Sequence, residues 1–278
     1  MVRRRFAEEP MSRLALWSYR LAIFSMVATV LSIVILRSGI LEVEPALATF
    51  GAALSLALLA ILMAFAAFVV IWRNGSGGLG RALGAIGIGV ILLAYPGYLG
   101  FKSTQTPAIH DITTDTDDPP RYEAVQKLRP RAANSVVYEG AAVAQKQRAA
   151  YPDIESMEVD LDPPAAYKVA LAVVERHKWR VVDARPPRPR SDGHIEAIAR
   201  TLIMGFRDDI VIRIRADEDG STIDIRSSSR YGEGDFGDNA ARVRTLNDEL
   251  DTAIQAAIDR RPQPPAKAAP PPRRSKSR

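Results

Sequence analysis

The sequence predicts three membrane-spanning helices followed by an α+β domain, a four-stranded antiparallel sheet with helices packed on one face. Three features carry that fold class. Nearly all the long uncharged runs lie before residue 102 and nearly all the charge lies after it. Behind the apolar third, four segments alternate apolar and polar residues with the two-residue period of strands. Helical segments with clear start signals bracket those four. The averages alone, 47% hydrophobic and 25% charged over 278 residues, would suit one or two soluble domains, so it is the segregation that is informative.

A helix crossing a hydrocarbon layer of about 30 Å needs about 20 apolar residues, because no backbone polar group can be left unpaired there. Residues 46–72 run 27 positions without a charge and end on Trp72. Residues 82–101 run 20, with Tyr95, Tyr98 and Phe101 placed as an interfacial aromatic belt. Residues 21–36 are uncharged for only 16, so this helix is expected to begin near Leu14 with Arg20 snorkelling to the surface. A signal peptide is the competing reading of that stretch; no small-x-small cleavage site follows Leu36, and two longer spans come after it. The expected spans are about 14–36, 46–72 and 79–101, making residues 1–101 a transmembrane region. The small residues Gly80, Gly84, Gly87 and Gly89 would let helices approach closely.

Basic residues resist translocation and so orient the spans. Arg3, Arg4, Arg5 and Arg13 precede the first span. Arg37 stands with Glu42 and Glu44 in the first connection, Arg73 and Arg81 flank the second, and Lys102 follows the third. The N-terminus and the 73–81 loop are therefore expected in the cytoplasm of a multi-pass inner-membrane protein, with residues 102–278 periplasmic. The second loop, Gly75-Ser-Gly-Gly-Leu-Gly80, matches the dinucleotide fingerprint in letters, but it joins two membrane helices and reads as a flexible connector.

Residues 102–135, rich in Thr, Asp, Pro and Arg, read as an extended connector. A helix is expected over 136–150, stopped by Pro152. Asp162 with Pro163 and Pro164 starts another, carrying Tyr167, Ala170, Leu171 and Val174 at helical spacing. Strands are expected at 179–184, 194–202, 209–216 and 222–230, the last two joined by a turn at 217–220. A final helix over 238–259 repeats Val243, Leu246, Leu250, Ile254 and Ile258 on one side. The α+β domain is thus bounded at 136–260. Residues 261–278 hold six Lys or Arg, no acid and many prolines, and are expected to be disordered.

Alternation sorts each strand between two faces. The isoleucines 195, 210, 212, 214, 223 and 225 face the helices. Glu196, Arg200, Arg213, Arg215, Asp224, Arg226 and Arg230 are left on an exposed face of alternating sign. One reading is a solvated ladder of cross-strand ion pairs. The other is a recognition surface, with Glu196, Arg213, Asp224, Arg226 and Arg230 as binding residues and the arginines 213, 226 and 230 as donors to an anionic or zwitterionic partner.

Four segments in order, TTDTDDPPRY (113–122), AYPDI (150–154), GHIEAIARTLIMGFRDDIVIRI (193–214) and DIRSSSRYGEGDFGDNAARV (224–243), resemble domain-of-unknown-function family 1499. The resemblance covers residues 113 to about 255. It implies a domain often found behind membrane helices, with no established activity, and it supplies no catalytic residues.

Other chemistry is disfavoured one motif at a time. The absence of cysteine excludes disulfide scaffolds, thiolate zinc sites and cysteine nucleophiles. A net charge of +5 that resides mostly in the tail disfavours a nucleic-acid binder. The loop 232–237 is a second G-x-G-x-x-G, but Glu233 and Asp235 would repel a pyrophosphate, and a turn into a helix capped by Asp235 or Asp238 fits better. Asp115, Asp117 and Asp118 lack the glycine of a calcium loop. Asp208 and Asp209 should point to opposite faces. His110, His177 and His194 show no metal-ligand spacing. No cofactor, metal site or catalytic residue is therefore expected. The expected role is a binding or docking module of the cell envelope, with the lipid bilayer, envelope proteins or anionic envelope polymers as partners. The alternative is an envelope enzyme, hydrolase-like, built around Glu196 and His194.

Overall fold

A computed structural model describes residues 10–260. The basic tail at 261–278 and the arginines 3–5 lie outside the described residues.

The chain opens with α1 (Arg13–Ser38), α2 (Val43–Asn74) and α3 (Leu79–Ser103), all long and apolar enough to cross a membrane. The first begins one residue before the expected Leu14. Ser12 caps it, its hydroxyl accepting from the Ala15 amide, and the Arg20 guanidinium sits 5.3 Å from the Trp17 ring centre. The helices meet through small side chains repeating every seven residues: Ala15, Ala22 and Thr29 with Ser18, Ser25 and Ser32 on α1, and Ala46, Ala53, Ala60 and Ala67 on α2. Where hydrophobicity cannot drive association, such stripes let backbones approach closely enough for dispersion to act. Of the four span glycines, two are at contacts. A Cβ on Gly84 would lie 2.9 Å from the Tyr19 ring and one on Gly89 2.5 Å from Ile61 Cγ1, while nothing lies within 4 Å at Gly80 or Gly87.

The domain is a sheet with helices, but the sheet has six strands rather than the expected four. The anticipated strands are β3 (Arg180–Arg185), β4 (Gly193–Arg200), β5 (Arg207–Ala216) and β6 (Ser221–Ser229). The additional ones are β1 (Asp111–Thr113) and β2 (Met157–Val159). All pair antiparallel in the order β1-β6-β5-β4-β3, and β2 also lies on β6. The two extra strands cover different stretches of one edge, Asp111 opposite Ser228 and Met157 opposite Ile223. Three residues offer no readable period, which is why neither shows in the sequence. The β2 edge comes so close that the Val159 carbonyl oxygen sits 2.1 Å from where a Cβ on Gly220 would be, so that turn position excludes any side chain.

Between β1 and β2 run a short 3-10 turn, Val125–Leu128, and α4 (Ala141–Ala150), which starts later than the expected 136 because residues 134–136 are tied to the sheet. Helices α5 (Pro163–Arg176) and α6 (Asp238–Asp259) pack on one face. Their Tyr167, Ala170, Val174, Val243, Leu246 and Leu250 meet the six isoleucines in the main core.

The other face is covered as well. The stretch from Thr114 to Tyr138, most of it expected as an extended connector (102–135) and its end as the start of a helix, lies across it, burying Tyr122 and Val125 against Ile198 and Val211. Of the charged face predicted to be exposed, Glu196, Asp224, Arg226 and Arg230 are therefore interior and Arg213 and Arg215 partly covered, while Arg200 at the edge stays exposed.

The domain sits on the end of the bundle where α1 finishes and α2 begins. Leu36, Ala46 and Met204 form a small core there with Phe50 and Phe206. The Arg37 guanidinium donates to the carbonyls of Leu202 (2.5 Å) and Ile203 (3.0 Å) at the tip of the β4–β5 hairpin. Lys102, at the end of α3, pairs with Asp238 at 3.0 Å.

Candidate functional site

The five residues singled out from the sequence do share one face of the sheet, as alternation requires. They are not a surface. Glu196 and Asp224 are 0% exposed, Arg226 2% and Arg230 1%. Cross-strand pairs do form at Asp224: Arg213 Nε donates to its Oδ2 at 3.0 Å, the two being direct partners between β5 and β6, and Arg215 Nη2 lies 3.0 Å from the same oxygen. The others engage the covering segment. Arg226 makes a two-pronged bond to Asp111 (2.9 and 2.6 Å) and donates to the carbonyls of Pro120 and Val136, both 2.9 Å, with its guanidinium 4.7 Å from the Tyr122 ring centre. Arg230 clasps Asp209 and reaches the Leu128 carbonyl; Arg129 from the covering segment takes the same Asp209 carboxylate at 2.6 Å. Arg213 holds the Asp118 side chain and carbonyl, both at 2.8 Å.

Glu196 does the complementary job. Its carboxylate accepts from the amides of Glu123 (2.7 Å), Ala124 (3.1 Å) and Val125 (2.7 Å), a charge placed at the start of the 3-10 turn, and lies 2.7 Å from His194 Nε2. Burial alone would raise its pKa; the His194 ring and the three amides outweigh that and hold it below the usual carboxylate value. The anion and cations proposed for a partner are thus satisfied within the chain, Glu196 by backbone amides and the arginines by Asp111, Asp118, Asp209 and Asp224 together with backbone carbonyls. Sequence reasoning missed Asp111, Tyr122 and Arg129 as their counterparts. The available signal was that the first motif of the family resemblance, 113–122, falls inside the supposed connector.

The same occupancy bears on chemistry. His194, Glu196 and Asp183 bring donor atoms within 4.8 Å of one another, as a metal would need. Yet Glu196 is committed to three amides and Asp183 to Arg185 at 2.8 Å, so the set is already engaged. Among the described residues the hydrogen-bond partner of His194 is Glu196 and no serine, which leaves the hydrolase alternative without an assembled nucleophile and base. Asp208 and Asp209 do point to opposite faces, Asp208 pairing with Arg242 at 2.7 Å. In the 232–237 loop, Asp235 and not Asp238 caps α6, accepting from Gly237 (2.8 Å) and Asn239 (2.6 Å).

An open space lies elsewhere. A cavity of about 350 Å³ separates the bundle from the domain, walled by Leu47 and Phe50 of α2, Leu99 of α3, and Phe206 and Phe236 of the domain. Its polar end is formed by Asp208, Ser229 and Asp235. Behind them Asn239 ties the group together, its amide donating to Ser229 Oγ (2.9 Å) and the His110 carbonyl while its oxygen receives Ser227 Oγ (2.7 Å). Burial pushes Asp208 up against the opposing pull of Arg242, and pushes Asp235 up against the two amides it caps. These polar residues come from the third and fourth motifs of the resemblance, which converge here although 20 or so positions apart in sequence. An apolar cleft with a few convergent polar groups, walled on one side by the long apolar helices, suits a chain-bearing molecule with a small hydrogen-bonding head.

A family described as a protein of unknown function (DUF1499) matches residues 111–250, half of the chain. No curated protein matches it.

Proposed function

The chain belongs to the DUF1499 family of proteins of unknown function, and we propose that this member is a multi-pass inner-membrane binding module whose periplasmic domain holds the apolar chain of a bilayer amphiphile in the bundle–domain cavity. The observation that carries this role is the shared wall of that cavity. Two of the apolar helices supply one side and residues of the resembling segments the other, so the site exists only where the bundle meets the domain. The polar end, with its two buried carboxylates, would receive a hydroxyl or amide head in place of water.

The orientation rests on charge. Arg13, Arg73 and Arg81 stand at the end of the bundle away from the domain, while Arg37 and Lys102 at the near end are engaged by the hairpin carbonyls and Asp238. Reporters active only in the periplasm or only in the cytoplasm, fused after Lys102 and at Arg278, are expected to report periplasm at both points; cytoplasmic activity at either overturns the assignment. For the cavity, a fluorescent polyene fatty alcohol added to the full chain in detergent is expected to bind. The Leu99→Trp substitution, which fills the space, should weaken it roughly tenfold, about the value of one well-buried side chain's worth of apolar contact. Equal binding by both proteins would reject the cavity as the site.

A further inference from the structure

Arginines on the polar face of the sheet are paired, except at one corner. Lys178, Arg180, Arg200 and Arg207 line a cleft of about 410 Å³ that no acidic residue lines. None of the four has an ion-pair or side-chain hydrogen-bond partner among the described residues. Arg200 and Arg207 stand directly opposite each other on β4 and β5, an arrangement of like charges that costs stability unless something neutralises it. Burial pushes Arg207 down, and the nearby Arg200, Arg230 and Arg180 push it the same way. Lys178 adds a left-handed backbone, φ 56°, which is uncommon for a side-chain-bearing residue.

The cleft's position narrows what would fill it. Arg200 and Arg207 flank the hairpin tip, where Leu202 is 89% exposed and Ile203 is exposed beside it. Arg37, at the end of α1, holds that tip by its carbonyls. A Cβ built on Gly39, the residue that ends α1, would lie 4.0 Å from Arg207 Nη2. An apolar tip with cations immediately behind it, level with the end of a spanning helix, matches the order of hydrocarbon and phosphate at a bilayer surface. Guanidinium forks match the paired oxygens of a phosphate.

We propose that this cleft binds the phosphate of an anionic bilayer phospholipid, with Lys178, Arg180, Arg200 and Arg207 as its donors. The assignment rests on the three helices lying in a bilayer and not on occupancy of the cavity, to which Arg180 and Arg200 do not contribute. The test uses the full chain in micelles containing equal phosphatidylglycerol and phosphatidylcholine, with retained lipid counted by native mass spectrometry. Preferential retention of phosphatidylglycerol is expected. The Arg180→Ser, Arg200→Ser double variant should reduce that preference roughly 30-fold, at the usual contribution of each surface cation. Lys178→Glu, on an exposed turn outside the sheet, should act in the same direction if the double variant fails to fold. Leu99→Trp should leave the preference unchanged, which separates this site from the cavity. Equal retention of the two lipids, or an unchanged preference in the cleft variants, would overturn the proposal. Displacement of the lipid by inorganic phosphate that itself binds lipid-free protein would overturn it in favour of a small-anion site.

Discussion

Glu196 shows how much one side chain can organise. Three consecutive amides aim at its carboxylate, so ionisation of this group and order in the segment 114–138 are linked. A carboxylate whose folded pKa is depressed contributes stability above its ordinary value of 4.5 and loses it as pH falls through the lower, folded value. Hydrogen exchange at the amides of residues 123–125, corrected for intrinsic rates, is expected to be slow at neutral pH and to accelerate only once pH drops below about 4.5. Glu196→Gln should cost about 1–3 kcal/mol in the unfolding of the full chain and flatten that dependence, since a neutral amide accepts more weakly and presents an amino group to the donors. At this scale the sequence was legible in part. Alternation put Glu196, Arg213, Asp224, Arg226 and Arg230 on one face correctly, but a two-residue period says nothing about what lies over that face. Their partners are set by contacts spanning about a hundred residues, such as Arg226 to Asp111 and Arg213 to Asp118.

Among the elements, legibility followed length. The three apolar helices were found within three residues at each end and α6 to the residue, because 20 or more positions repeat a signal that noise cannot hide. The strands of β3 to β6 were found within two residues at each end. The three-residue β1 and β2 were lost, their sequences Asp-Ile-Thr and Met-Glu-Val being set by pairing with β6 and not by any local preference. In the bundle the seven-residue spacing of Ala, Ser and Thr sets how near the helices come. Gly89→Leu would drive a side chain into Ile61 and the Ala57 carbonyl oxygen, 3.2 Å from the Cβ position. The expected loss is about 1–3 kcal/mol, read as a lower thermal unfolding midpoint in detergent. Gly87→Leu, facing open space, should leave that midpoint nearly unchanged.

Over the whole molecule, bundle and domain are joined by more than the chain connecting them. Arg37 was counted from the sequence only as an orienting charge; its actual task is to hold the β4–β5 hairpin, 164 residues away in the chain. Arg37→Ala leaves the Leu202 and Ile203 carbonyls to water and removes the tether, so limited proteolysis at the 201–206 tip is expected to become several-fold faster while the sheet core stays protected. Unchanged cleavage would mean that Lys102–Asp238 and the Leu36–Met204 contacts suffice. The order of synthesis adds a further constraint. The first strand of the sheet is paired by its last, and the segment beneath both is clasped by arginines that the ribosome delivers roughly a hundred residues later. Until residue 230 or so has been delivered to the same compartment, Tyr122, Val125 and the acidic run at 115–118 have nothing to close on. The domain must therefore wait open beside a bundle whose helices are already complete, and its folding is timed by the arrival of its last strand and helix.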